Sequence, residues 1–201
     1  MDVLCAKIIE KQNPTVVGLD PKLEYIPEYI KQAAVEKHGA GLKAAAAAIL
    51  RFNKELIDAV CDIVPAVKPQ AAYYEMYGHH GVKALEKTIA YAKEKGLFVI
   101  LDGKRNDIGP TMQAYAAAYL GATDVFGTKE QAFAADALTV NGYLGTDGVK
   151  PALETGGGLF ITPLRQFSLN HSLPIGAIIH HPVKKTRKVS PSHCAAARKS
   201  L

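Results

Sequence analysis

Two hydrophobic periods alternate along most of the chain. Thr15-Val16-Val17-Gly18-Leu19 is a short apolar run closed by Asp20-Pro21, which predicts a buried strand and a turn. Ile49, Phe52, Leu56 and Val60 then recur at helical spacing, giving one apolar face on a helix of about 20 residues. Ile63 to Val67 predicts a second strand, ending at Lys68-Pro69. Val82, Leu85, Ile89 and Ala92 mark another amphipathic helix, stopped by Gly96. Leu97 to Leu101 predicts a third strand, and Pro110 suits the first turn of a helix running to Leu120. Asp136 to Val140 and Gly158 to Ile161 predict a fourth and a fifth strand.

Strands alternating with helices imply right-handed βαβ units and a parallel sheet. In each unit the reactive residues follow the strand: Asp20, Lys68, Asp102 with Lys104, and Asn141. A (β/α)8 TIM barrel assembles its active site at these C-terminal strand ends. A doubly wound open sheet does something similar. No G-x-G-x-x-G follows the first strand, which weakens a dinucleotide-binding version. The pattern stops near residue 162. About five βα units are present where a complete barrel has eight, so the α/β reading is of an incomplete barrel over residues 1–162. An irregular basic tail, 163–201, follows it. Within that tail only Ile175 to Ile179 has the makings of a strand.

Composition changes one inference. The 201 residues carry 24 Lys plus Arg against 19 Asp plus Glu, a net charge of +5 that would suggest a polyanionic partner. No acidic residue follows Glu154, and seven of the positive charges lie after residue 162. The body 1–162 therefore has 17 basic and 19 acidic residues and is slightly acidic. The run Lys184-Lys185-Thr186-Arg187-Lys188 has no interleaved aromatic for base stacking, so nucleic-acid binding is not expected. His180-His181 and His193-Cys194 lack the spacing of a metal site, and His79-His80 are expected on a surface loop. No stretch of about 18 apolar residues predicts a membrane span. The charged N-terminus and three scattered cysteines, Cys5, Cys61 and Cys194, fit reduced thiols in a cytoplasm.

The candidate chemistry sits in Leu101-Asp102-Gly103-Lys104-Arg105-Asn106-Asp107-Ile108-Gly109. On a strand end Asp102 and Lys104 are two apart and share a face. Lys68 arrives from the neighbouring strand, and Asp107 stands where the loop enters the next helix. Two ammonium groups and two carboxylates in one pocket are expensive to desolvate unless mutually paired, a cost more readily understood in an active site than in a core. Flanking carboxylates favour the charged form of Lys104, making it a proton donor and a poor nucleophile.

The runs AVKPQAAYYEMYG, ILDGKRNDIGPTMQAYAAAYLG and DALTVNGYLGTDGVKP resemble orotidine 5′-phosphate decarboxylase, specifically its longer bacterial subgroup. GLDP at 18–21 and FNKELIDAV at 52–60 are similar to it as well. The resemblance implies a cofactor-free lyase that converts orotidine 5′-phosphate to uridine 5′-phosphate. It places Asp20 and Lys68 on the substrate ribose, Asp102 beside the substrate carboxylate, and Lys104 as the proton donor to pyrimidine carbon 6. Asp107, with Thr111 nearby, would cross a homodimer interface to the partner's site. Asn141 receives no role.

The family's Thr-Ser-Asn-Pro-like run and glycine-rich phosphate loops are not found after Ile161-Thr162-Pro163, and Ser168 and Asn170 cannot be aligned. The expectation is a truncated or frameshifted ending beyond about residue 161, with a genuine divergent tail as the competing account. An incomplete barrel exposes unpaired strand edges, so poor stability and severely reduced activity are expected. The alternatives are an inactive, interaction-only remnant, a Schiff-base aldolase using Lys104, and a metal-dependent lyase using the carboxylates.

Overall fold

The computed structural model describes residues 1–162 and 178–179. A short N-terminal helix, α1 (Asp2–Lys11), precedes β1 (Val16–Leu19). After a 3-10 turn at Leu23–Tyr25 come α2 (Glu28–His38) and α3 (Leu42–Val60), then β2 (Ala66–Pro69). A single turn, α4 (Ala72–Glu75), leads into α5 (Gly78–Glu94) and β3 (Phe98–Arg105). Next come α6 (Gly109–Tyr119), a hairpin of β4 (Thr123–Val125) and β5 (Thr128–Glu130), and β6 (Ala137–Asn141). The described part closes with α7 (Lys150–Glu154), β7 (Gly158–Thr162) and β8 (Ile178–Ile179).

One sheet runs β1-β2-β3-β6-β7-β8. The first five strands are mutually parallel, and β8 pairs antiparallel with β7. These are the five predicted strands, and they lie side by side in chain order. β8 falls at the end of the expected Ile175 to Ile179 piece, in the opposite direction to a further βα unit. The remaining tail expectations, on His180, His181, His193, Cys194, Ser168, Asn170 and the Lys184 to Lys188 run, lie outside the described residues. No helix among the described residues is long and apolar enough to cross a membrane.

The period of two divides the strands between two cores. Val67, Val99, Leu101, Leu138, Val140 and Leu159 point to the helices and are fully buried there, with Ile49 and Ile57 of α3 and Leu85 and Ile89 of α5. Ala66, Phe98, Ile100 and Ala137 face the other way and pack with Leu4 of α1, which covers the N-terminal end of that face. Continuing the same parity toward the C-terminal ends gives Lys68, Asp102 and Thr139. The apolar half of the face ends where the polar residues begin.

Several boundaries differ from the sequence expectation, each for a local reason. β2 begins at Ala66 because Pro65 has no N–H to give a ladder, although its carbonyl accepts the N–H of Phe98 at 3.0 Å. Lys68 therefore lies within the strand and Ile63 is exposed outside it. α5 starts at Gly78, so His79 and His80 belong to its first turn rather than to a loop, with ring centroids 3.8 Å apart. Only Ile30 and Ala34 of α2 and Leu4 of α1 are buried, too few for a visible helical stripe. The β4–β5 hairpin turns through Phe126-Gly127, both with positive φ, without the Asn-Gly or Asp-Gly signal of such turns.

The outer layer is held by a buried polar cluster as well as by apolar packing. Asn53 Nδ2 of α3 donates to the Tyr74 hydroxyl at 2.8 Å and to Thr88 Oγ1 of α5 at 3.4 Å. The Tyr74 hydroxyl donates to the Leu19 carbonyl at 3.4 Å, at the residue before Asp20. Beside Tyr74, α5 approaches so closely at Gly81 that a Cβ there would lie 1.9 Å from the Tyr74 carbonyl oxygen.

Candidate active site

Asp102 is the centre of the mouth. It sits on β3 with only 6% of its surface exposed and accepts four hydrogen bonds. Lys104 Nζ (2.6 Å) and the Thr139 hydroxyl (2.7 Å) donate to Oδ1; Lys68 Nζ (2.8 Å) and Gln70 Nε2 (3.0 Å) donate to Oδ2. Burial alone would raise this carboxyl. The hydrogen bonds from Lys104, Lys68 and Thr139, with the Lys68 charge, outweigh it and hold the group below the usual carboxylate range.

That direction has a consequence for stability. The folded group binds its proton less readily than the unfolded one, so its contribution is fully present above the unfolded aspartate value of about 4. It is lost as the pH falls through the lower folded value. Acidification through that window is therefore expected to lower the urea midpoint of the chain more than that of Asp102→Asn. Equal losses in the two proteins would contradict the assignment.

The side chains reach this geometry through an irregularity. The pairing of β3 with β6 shifts register between Leu101 and Arg105, and Lys104 adopts a left-handed backbone with φ 48°. Asp102 and Lys104 thus meet on one side of the sheet, and the Lys104 side chain stays about half exposed while its ammonium turns back to the carboxylate. Two ammonium groups share one carboxylate, so the array carries an excess positive charge at its solvent side. Arg105 turns the other way. Its guanidinium donates to Glu75, to the Gly103 carbonyl (3.0 Å) and to the Tyr119 hydroxyl (3.1 Å), and lies 5.5 and 5.4 Å from the Tyr115 and Tyr119 ring centroids. Arg105 fastens the end of β3 that carries Lys104 to α4 and α6. A cavity of about 440 Å³ opens beside Lys104, walled by Gln70, Tyr73, Glu75, Gly103 and Arg105.

Of the residues singled out in the sequence, the structure brings together Lys68, Asp102 and Lys104. Asp107 stands apart, its Oδ1 accepting the N–H of Ile108 at 2.7 Å. The array within the chain thus has three charges rather than four. Thr111 is exposed on the first turn of α6, and Ile108 beside it is 61% exposed. Asp20 is exposed at the end of β1, on the same parity as Gly18, which pairs with Lys68. Asn141 Oδ1, at the end of β6, accepts from Asn106 Nδ2 at 2.5 Å and braces the loop after Lys104. Gln70 and Thr139 were not singled out. Thr139 shares the inward parity of Asn141, but within Ala137-Leu138-Thr139-Val140 a threonine reads as one more β-former.

The chain's residues 14–164 match the Orotidine 5'-phosphate decarboxylase / HUMPS family. The chain belongs to this family. A relative named orotidine 5'-phosphate decarboxylase from Rhodopirellula baltica is 45% identical over 151 residues, 75% of this chain and 48% of its own length. One of the same name from Streptomyces coelicolor is 35% identical over 182 residues, 89% of this chain and 57% of its own length, so that similarity runs past residue 162. Among solved structures, Leishmania donovani OMP decarboxylase superposes with a TM-score of 0.58 at 28% identity, covering 80% of this chain and 51% of that one. The architecture is therefore that of the orotidine 5'-phosphate decarboxylase TIM barrel, of which this chain forms part. It spans about half the length of the curated relatives it matches.

Proposed function

We propose that the mouth residues of this chain decarboxylate orotidine 5′-phosphate to uridine 5′-phosphate without a cofactor. The observation that carries this reading is the Lys68–Asp102–Lys104 array, with an ammonium and a carboxylate 2.6 Å apart at the C-terminal end of a parallel sheet. The bond from pyrimidine carbon 6 to the substrate carboxylate breaks, CO2 leaves, and the electron pair remains on carbon 6. Lys104 supplies fixed positive charge where that negative charge develops and then transfers a proton to the carbon. Asp102 lies beside the departing carboxylate, disfavouring it through like charge. Lys68 and Asp20 orient the ribose, and binding of the remote phosphate holds the reacting atoms in place. The ammonium of Lys104, hydrogen-bonded to an ionised carboxylate, suits this role better than that of a Schiff-base amine.

Asp107 and Thr111 belong, in this reading, to the partner's site in a cytoplasmic homodimer. The exposure of Thr111 on the first turn of α6, and the bond of the half-buried Asp107 to the Ile108 N–H rather than to the charge array, support that placement. The domain body ends at residue 162, where the run of predicted βα units ends. The test joins residues 1–162 to the C-terminal half of the Rhodopirellula baltica relative and follows CO2 release from orotidine 5′-phosphate. A folded chimera is expected to turn over far faster than the 201-residue chain, in which counterparts of the phosphate loops are not recognised. A folded chimera with no turnover would overturn the proposal.

A further inference from the structure

Thr139 occupies an unusual position. It is 94% buried at the junction of β3 and β6, and its hydroxyl meets two groups of the charge array at once. The direction of each bond is fixed by chemistry. An ionised carboxylate only accepts, so the single hydroxyl proton goes to Asp102 Oδ1 at 2.7 Å. The same oxygen then has a lone pair for the backbone N–H of Lys104, 2.9 Å away. Lys104 has a left-handed backbone, where the crowding of Cβ against the backbone costs about 1 kcal/mol or more unless the surroundings hold it. In a regular ladder its N–H would lie on the side of Phe98, whose N–H goes to the Pro65 carbonyl beside β2, but the register shift between Leu101 and Arg105 turns it toward β6 and away from any such carbonyl. The hydroxyl of Thr139 takes its place.

We infer that Thr139 is a positioning residue, which sets the Asp102 carboxylate and the Lys104 backbone with one hydroxyl and so aims the ammonium back at the carboxylate. The inference rests on the decarboxylase reading for its chemical purpose and on the two hydrogen bonds for its content. Threonine suits the post because a β-branched side chain on a strand is restricted at χ1, so the oxygen stays between its partners. Valine keeps the shape and removes both bonds. Serine keeps the oxygen and loses only the branch.

Nuclear magnetic resonance on the 201-residue chain tests this without any need for turnover. In Thr139→Val the Asp102 carboxyl is expected to titrate at higher pH than in the unsubstituted chain, and the Lys104 amide proton to exchange about tenfold faster. Thr139→Ser is expected to restore both. A merely structural role would lower thermal stability without moving the Asp102 titration, and serine would not restore it. If the valine variant does not fold, the unsubstituted chain still decides: the Thr139 hydroxyl proton should exchange slowly with water and lie close to the Lys104 amide. A fast-exchanging hydroxyl, or a valine variant with unchanged Asp102 titration and Lys104 exchange, overturns the inference. Neither result depends on decarboxylation, so failure here is distinct from failure of the proposed function.

Discussion

Replacing Lys104 by alanine in the folded chimera is expected to lower kcat for orotidine 5′-phosphate by at least about 10³-fold, with a smaller effect on KM. Two contributions disappear together. A positioned proton donor accounts for about 10² to 10⁴ in rate. Fixed charge at a developing anion accounts for a further factor of about 10² to 10³. The two overlap in one side chain, so their product is an upper bound. Lys104→Arg is not expected to rescue turnover, because a guanidinium keeps its charge but holds its proton too tightly to donate it. Steady-state kinetics on both variants decides the matter. A loss of less than tenfold in Lys104→Ala would mean that the proton comes from elsewhere.

The second large effect is on stability, at Gly81. Its position on the first turns of α5 faces the Tyr74 carbonyl at a separation that no Cβ tolerates. Both partners are backbone, so no side chain swings away to relieve the clash. α5 must move from the Tyr74–Tyr77 segment, and Tyr74 is among the most deeply buried side chains of the protein. Gly81→Ala is expected to destabilise the chain by about 3 kcal/mol or more despite the better helix propensity of alanine. For a protein of this size that lowers Tm by about 10 °C. Thermal unfolding followed by circular dichroism measures it, and an unchanged or raised Tm would show that the helix slides at no cost.

The charge array was legible in the sequence because its members are charged residues placed at apolar strand ends, where nothing else explains them. The period of two was enough to suggest Asp102 and Lys104 as neighbours, although the structure joins them through the register shift and the left-handed backbone of Lys104. Lys68 needed only the alternation of strands and helices. The groups that orient them were not legible. Gln70 acts through a contact across two strand ends, and Thr139 through a register shift that no local pattern announces. Arg105 received no role in the sequence, and its parity sends it to the opposite side, into a sleeve of tyrosines. At the level of elements, α2 escaped because just two of its side chains are buried. The hairpin escaped because Phe126 holds a turn position usually given to asparagine or aspartate.

The hydroxyl of Tyr74 links layers that are otherwise separate. It accepts from Asn53 on the outer helix α3 and reaches the Leu19 carbonyl, one residue from Asp20. The outer helix and the Asp20 end of the mouth are therefore joined by a rigid aromatic strut as well as by the sheet. The burial of that hydroxyl pushes its own ionisation upward, so the strut keeps its proton, and its hold on Leu19, even in alkaline solution.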